Sequence, residues 1–108
     1  MSLAVPVDVG AAERFVLANA RLLDRHRLAV VLHGAPVEPV LDSLRAYRNS
    51  DGGFGHALEP DIRSPASEPS STLHALMVLA EIGALDDPMA DEAAAWVART
   101  PVTSTRTG

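Results

Sequence analysis

Cysteine is absent from the 108 residues, which removes disulfides, thiolate nucleophiles and cysteine-bound zinc. Lysine is absent too, because all nine basic residues are arginine. That excludes Schiff-base catalysis and the lysine of a phosphate-binding P-loop. Positive charge is outnumbered nine to fourteen, for a net −5, and an acidic chain lacks the basic face that nucleic acid requires. No apolar run nears the roughly 18 residues of a membrane span. Met1 to Gly10 carries neither the basic stretch nor the long apolar core of a secretory signal, so the expected location is the cytoplasm.

What is present belongs to one small globular domain over residues 1–108, with 47% apolar and 21% charged residues. Asp8 is placed to cap a helix read over residues 9–33, with Ala12, Phe15, Val16, Leu22 and Leu23 on its apolar stripe and Gly34 as its stop. Val37, Val40, Leu41, Leu44 and Tyr47 recur at helical spacing and predict a helix over 37–48, with Pro39 in its first turn. Ser70 or Ser71 is read as the cap of a helix over 71–83, apolar nearly all round and so the most buried of the chain, ended by Gly83. Asp87-Pro88 opens a fourth helix over 88–99, with Met89, Ala93, Trp96 and Val97 on one face. No long period-two alternation occurs, and the fold class is all-α, built from two helical hairpins.

The glycine-rich loop 49–70 is too long for an ordinary connection, and loops of that length are usually functional or packed by their own side chains. Its most specific string is Asp51-Gly52-Gly53-Phe54-Gly55. Glycine permits positive φ and close backbone approach, Asp51 can accept from amides of its own turn, and Phe54 is a lone aromatic suited to pin the turn. These five residues are read as a structural turn. A phosphate cradle is the other reading, but the preceding strand, the following lysine and the G-x-G-x-x-G spacing are missing.

Tyr47-Arg48-Asn49-Ser50-Asp51-Gly52-Gly53-Phe54-Gly55, with the later Ser70-Ser71-Thr72-Leu73-His74-Ala75-Leu76, resembles the repeat of the terpenoid cyclase and protein prenyltransferase superfamily, which includes the squalene–hopene cyclases. The likeness covers roughly residues 37–84. It implies an α/α toroid, here an incomplete one with hairpins missing, around an apolar cavity that takes an isoprenoid substrate. The family's Asp-x-Asp-Asp acid motif is absent: Asp86-Asp87 stands at a helix cap. The Asp/Cys/His zinc site is impossible without cysteine, so neither activity carries over residue by residue. No cofactor is implied.

Beside the turn, His56, Glu59, Asp61 and Arg63 gather four ionisable groups within eight residues. They read as a polar rim contacting a ligand head group, with Arg63 suited to phosphate or carboxylate, as a set of His56, Glu59 and Asp61 around a metal, or as solvated loop residues; no metal site is assigned. Asp61 and His74 are the candidate catalytic residues. His74 is either a proton donor or acceptor facing a cavity, with Glu81 on its side of the helix, or a core histidine on a backbone carbonyl. His26 and His33 are read as helix-end residues.

Charge is unevenly spread: residues 51–92 hold nine carboxylates and one arginine, while residues 1–34 hold four arginines and three acids. Two hairpins cover only part of the apolar helix over 71–83, so Leu76, Val78 or Leu79 is expected to form an open patch, relieved by a second copy in a two-fold dimer. Two functions stay open. One is a divergent or truncated cyclase- or prenyltransferase-like protein acting on or binding an apolar ligand; the other is a non-catalytic helical-repeat module for binding and assembly.

Overall fold

The computed structural model describes residues 8–60, 62 and 64–100. They form five α-helices: α1 (Val9–Asn19), α2 (Leu22–His33), α3 (Glu38–Arg45), α4 (Pro69–Glu81) and α5 (Pro88–Arg99). No strand occurs among the described residues; a single antiparallel bridge joins Arg48 to Phe54. The fold is all-α. α2 packs on α3 and α4 on α5, as two pairs, and α1 packs chiefly on α2.

The helix expected over 9–33 is two helices. Arg21 is extended, at φ −62° and ψ 158°, and a physical reason lies across the molecule. Its guanidinium donates to the carbonyls of Ala57 (3.3 Å) and Leu58 (2.9 Å) and stands 5.6 Å from the Tyr47 ring centre. These tertiary contacts outweigh the local preference to continue the helix. The helix-end signals read from sequence hold at three places. Asp8 accepts from the Ala11 amide at 2.9 Å, Asp87 accepts from the Met89 amide at 2.9 Å, and Gly34 takes the left-handed conformation past α2, at φ 63°.

The start of α4 differs. Neither Ser70 nor Ser71 caps it: the helix begins at Pro69, preceded by an extended Glu68 without a side-chain cap. Proline at the first position needs no amide partner, which lets the helix start early. α4 stops at Glu81 rather than residue 83, with the Ala84 amide reaching the Leu79 carbonyl (2.8 Å) around a left-handed Gly83. α3 is likewise shorter than 37–48, because residues 46–48 turn toward the bridge with Phe54.

The core gathers Leu23 from α2, Val40, Leu41 and Leu44 from α3, Ala75, Val78 and Leu79 from α4, and Met89, Ala90 and Ala93 from α5. Phe54 and Leu58 from the long loop lie within it, both wholly excluded from solvent. The loop therefore supplies core, not cover. Of the apolar stripe read over residues 9–33, Leu23 joins the core, whereas Ala12 is exposed, Phe15 is 68% exposed and Leu22 on α2 faces solvent; the Val16 side chain lies outside the described residues. α4 is not apolar-buried all round either. Val78 and Leu79, expected to be open, are fully buried, Leu76 is half-buried, and the open residues are Leu73 and Met77, at 49% and 69% exposure.

Phe54→Ala removes the largest fully buried side chain and should lower stability by about 3–5 kcal/mol. Urea unfolding followed by circular dichroism checks this; an unshifted midpoint would show that the ring carries no packing.

Candidate functional site

The turn after α3 closes on itself. The Asn49 amide donates to the Gly53 carbonyl (2.9 Å) and the Gly52 amide to the Asn49 carbonyl (3.0 Å). Gly52 is left-handed, at φ 94°. Gly53 and Gly55 are needed for another reason, close approach. A Cβ on Gly53 would stand 2.5 Å from the Ser67 Cβ and 2.9 Å from the Trp96 ring, and one on Gly55 would stand 2.1 Å from the Ala66 carbonyl oxygen. Any side chain there drives the two arms of the loop apart.

Asp51 is the hub. One carboxylate oxygen accepts from the Gly53 amide (2.9 Å) and the Ser67 hydroxyl (2.6 Å), and the other accepts from the Trp96 indole (3.1 Å). The Asp51 carbonyl accepts from Arg99 (3.0 Å). The Ser67 hydrogen bond, helped by the Gly53 amide, Trp96 and the Arg99 charge, holds the carboxyl below its ordinary range against the opposing effect of desolvation. The next two amides are also taken: Phe54 donates to Thr72 Oγ1 (3.0 Å) and Gly55 to the Tyr47 carbonyl (2.9 Å). With the amides of Gly52 to Gly55 bonded inward, the glycine string itself offers no nest of free N–H groups to a phosphate.

The ionisable residues read from sequence separate into different partnerships. His56 Nε2 lies 2.8 Å from Asn49 Oδ1, while Asn49 Nδ2 donates to the Pro65 carbonyl and Ser67. Glu59 and His74 are brought together, with Oε2 2.6 Å from Nδ1. The other imidazole nitrogen, Nε2, is buried without a partner. His74 thus meets Glu59 and neither a backbone carbonyl nor Glu81 directly; Glu81 makes a two-pronged pair with Arg27, at 2.9 Å for each bond. Asp61 and Arg63 lie outside the described residues. Among the described residues no three His, Asp or Glu side chains converge as a metal would require. His33 ends α2 and pairs with Glu13 at 2.8 Å, whereas His26, expected at a helix end, sits inside α2. His56 and the following Ala57 are both left-handed, at φ 56° and 64°, a conformation side chains disfavour.

Sequence reasoning missed an ion chain. Arg21 Nε donates to Asp24 (3.0 Å), Arg27 donates to the other Asp24 oxygen (2.8 Å), and Arg27 crosses to Glu81 on α4. Burial works to raise the Asp24 pKa, but the hydrogen bonds and charges of Arg21 and Arg27 bring it below the ordinary value. Glu81 is lowered chiefly by its Arg27 hydrogen bonds, against desolvation. The i, i+3 spacing of Arg21, Asp24 and Arg27 was the available signal; the Glu81 end depends on tertiary placement. A groove of about 240 Å³ runs beside the chain, lined by Asp24, Arg27, Leu28, Val31 and Glu81.

No helix among the described residues is long and apolar enough to cross a membrane. Comparisons with protein-family models, curated proteins and solved structures find no match.

Asp24, Asp51 and Glu81 all have lowered pKa values, so the unfolded chain binds more protons than the folded one in the acid range. Their contribution is present above the unfolded carboxylate range of about 4 and is lost as pH falls through the folded values. The melting temperature should fall on acidification below about pH 4, and Asp51→Asn should make that fall shallower. An unchanged acid slope in the Asn variant would show that Asp51 is not a contributor.

Proposed function

We propose that the chain is a helical-hairpin module of the α/α toroid type that works by binding, engaging another helical surface through open apolar helix faces. The observation that carries this reading is a division of labour between side chains. The polar candidates have internal partners, with His56 on Asn49, Glu59 on His74 and Glu81 on Arg27. Apolar side chains point out instead: Leu73 and Met77 one turn apart on α4, and Leu22 and Val31 on α2. Exposed apolar faces of this kind mark contact surfaces, and methionine adapts readily to a partner's shape. The toroid assignment rests on the Gly-Gly-Phe-Gly turn and the resemblance it carries.

This reading is tested with Leu73→Glu/Met77→Glu. Because both side chains are exposed, each substitution should move stability by less than about 0.5 kcal/mol, and binding of an apolar fluorescent dye to the folded protein should fall sharply. Unfolding of the double variant, or unaltered dye binding, would overturn it.

A second reading is a divergent cyclase- or prenyltransferase-like protein that takes an apolar, isoprenoid ligand. It is favoured by one feature, the Glu59–His74 pair with its unpartnered Nε2, which is the arrangement of an oriented imidazole base. Titration with a fluorescent farnesyl diphosphate analogue should then give saturable binding that His74→Ala weakens at least about tenfold, a loss of roughly 1.4 kcal/mol. An absence of saturable binding removes this reading.

A further inference from the structure

The break between α1 and α2 has no cause in its own residues. Neither glycine nor proline, to which sharp helix breaks are usually traced, occurs between Ala11 and His33. Ala20, Arg21 and Leu22 are among the better helix formers. Nor does capping reward the break: no side chain caps α2, whose first intrahelical bond runs from the Arg25 amide to the Arg21 carbonyl (3.0 Å). The amides of Leu22, Leu23 and Asp24 are therefore left without a helical acceptor. A helix running on from α1 would offer them the carbonyls of Ala18, Asn19 and Ala20.

Two sets of contacts hold the bent form instead. At the break, Arg21 donates to Asp24 (3.0 Å) and to the carbonyls of Ala57 and Leu58, with its guanidinium over the Tyr47 ring. At the far end, Glu13 of α1 meets His33 at the end of α2 (2.8 Å), and pairs so close to solvent hold weakly. Packing adds little, because among the described side chains of α1 none is buried and only Glu13 is half-buried. Arg21 therefore decides. One carbonyl it holds belongs to Ala57, which is left-handed like His56 before it, at φ 64° and 56°. Such conformations persist only where the surroundings hold them, so the arginine and the loop keep each other in place.

We propose that Arg21 is a latch between two conformations of residues 9–33. One is the present pair, with α1 folded onto α2. The other is a single continuous helix that carries α1 off the body and bares the side of α2 that it covers. The segment that holds Arg21 lies between His56 and Glu59, so the latch couples this loop to the position of α1. Turning the Ala57 and Leu58 carbonyls away frees Arg21, and freeing Arg21 releases the loop, by the reciprocity of linked equilibria. The latch is independent of both functional readings, because Arg21, Asp24, Tyr47, Ala57 and Leu58 belong neither to the open face of α4 nor to the Glu59–His74 pair.

Spin labels at two exposed positions, Ala12→Cys on α1 and Leu32→Cys on α2, test it in the intact chain, which has no cysteine of its own. The bent form gives a short distance, since the neighbouring Glu13 and His33 side chains touch. The continuous helix separates the two backbones by about 30 Å, at 1.5 Å per residue. Arg21→Ala removes the latch and favours helix, and it should raise the ratio of long to short distances at least about tenfold, the scale of one hydrogen bond from a charged group. Arg21→Lys keeps the charge without the fork and should raise the ratio less. Arg21→Pro also removes the guanidinium but holds residue 21 near its present φ of −62°, so its distance should stay short. A ratio unmoved in Arg21→Ala and Arg21→Lys overturns the latch. A long distance in Arg21→Pro overturns it too, because α1 would then leave without the helices merging. If circular dichroism shows Arg21→Ala unfolded, the milder Arg21→Lys decides: a raised ratio supports the latch and an unmoved one overturns it.

Discussion

Phe54 joins two helix pairs through three attachments made by one residue. Its ring is wholly buried among residues of α2, α3, α4 and α5, its amide donates to Thr72 in α4, and its carbonyl accepts from the Glu68 amide just before that helix (2.9 Å). Thr72 completes the link by donating its hydroxyl to the Glu68 carbonyl (2.8 Å). The start of α4 is thereby fixed from the loop, which explains why it can begin without a side-chain cap. Asp51 repeats the device toward α5, through Trp96 and Arg99. A buried aromatic and a multiply bonded carboxylate thus act as the joints between elements whose own connections are distant in sequence.

This use of the loop decides which groups remain for function. The glycine turn resembles a cradle in composition, yet the amides of Gly52 to Gly55 are satisfied by Asp51, Thr72 and backbone carbonyls. A satisfied polar network is rigid, and its members are poorly placed to engage anything else. The open chemistry lies on helix surfaces, where Leu73 and Met77 meet solvent on α4 and Leu22 does so on α2. Both hairpins therefore present apolar stripes outward while their loop side is closed.

The helices with one strong stripe were legible in the sequence. Val40, Leu41 and Leu44 are buried as their spacing requires, and Met89 and Ala93 face inward from α5. Helix ends governed by local chemistry were equally readable at Asp8, Gly34 and Asp87. The misreadings share a cause, which is that tertiary partners decided what local patterns left open. Arg21 broke a continuous helical pattern because carbonyls 36 and 37 residues away were available to it. α1 carries an apolar stripe but remains on the surface, and nothing in its own spacing distinguishes it from a core helix. The His74–Glu59 pair and the Glu81 end of the ion chain joined residues 15 and 54 positions apart, distances at which periodicity carries no information.

The inward-bonded turn also reverses the usual ranking of loop and helix in resistance to local opening. Amide exchange with solvent requires the donor to be released, and release at Gly53, Phe54, Gly55 or Glu68 would disturb bonds that anchor α4 and α5 together. α1 can fray while leaving that network whole, because an exposed His33–Glu13 pair and its packing on α2 are what tie it down. Deuterium would therefore enter an α-helix before it entered a turn built around three glycines. The slowest-exchanging unit should centre on Gly53, Phe54 and the start of α4, which puts a loop at the centre of the cooperative kernel.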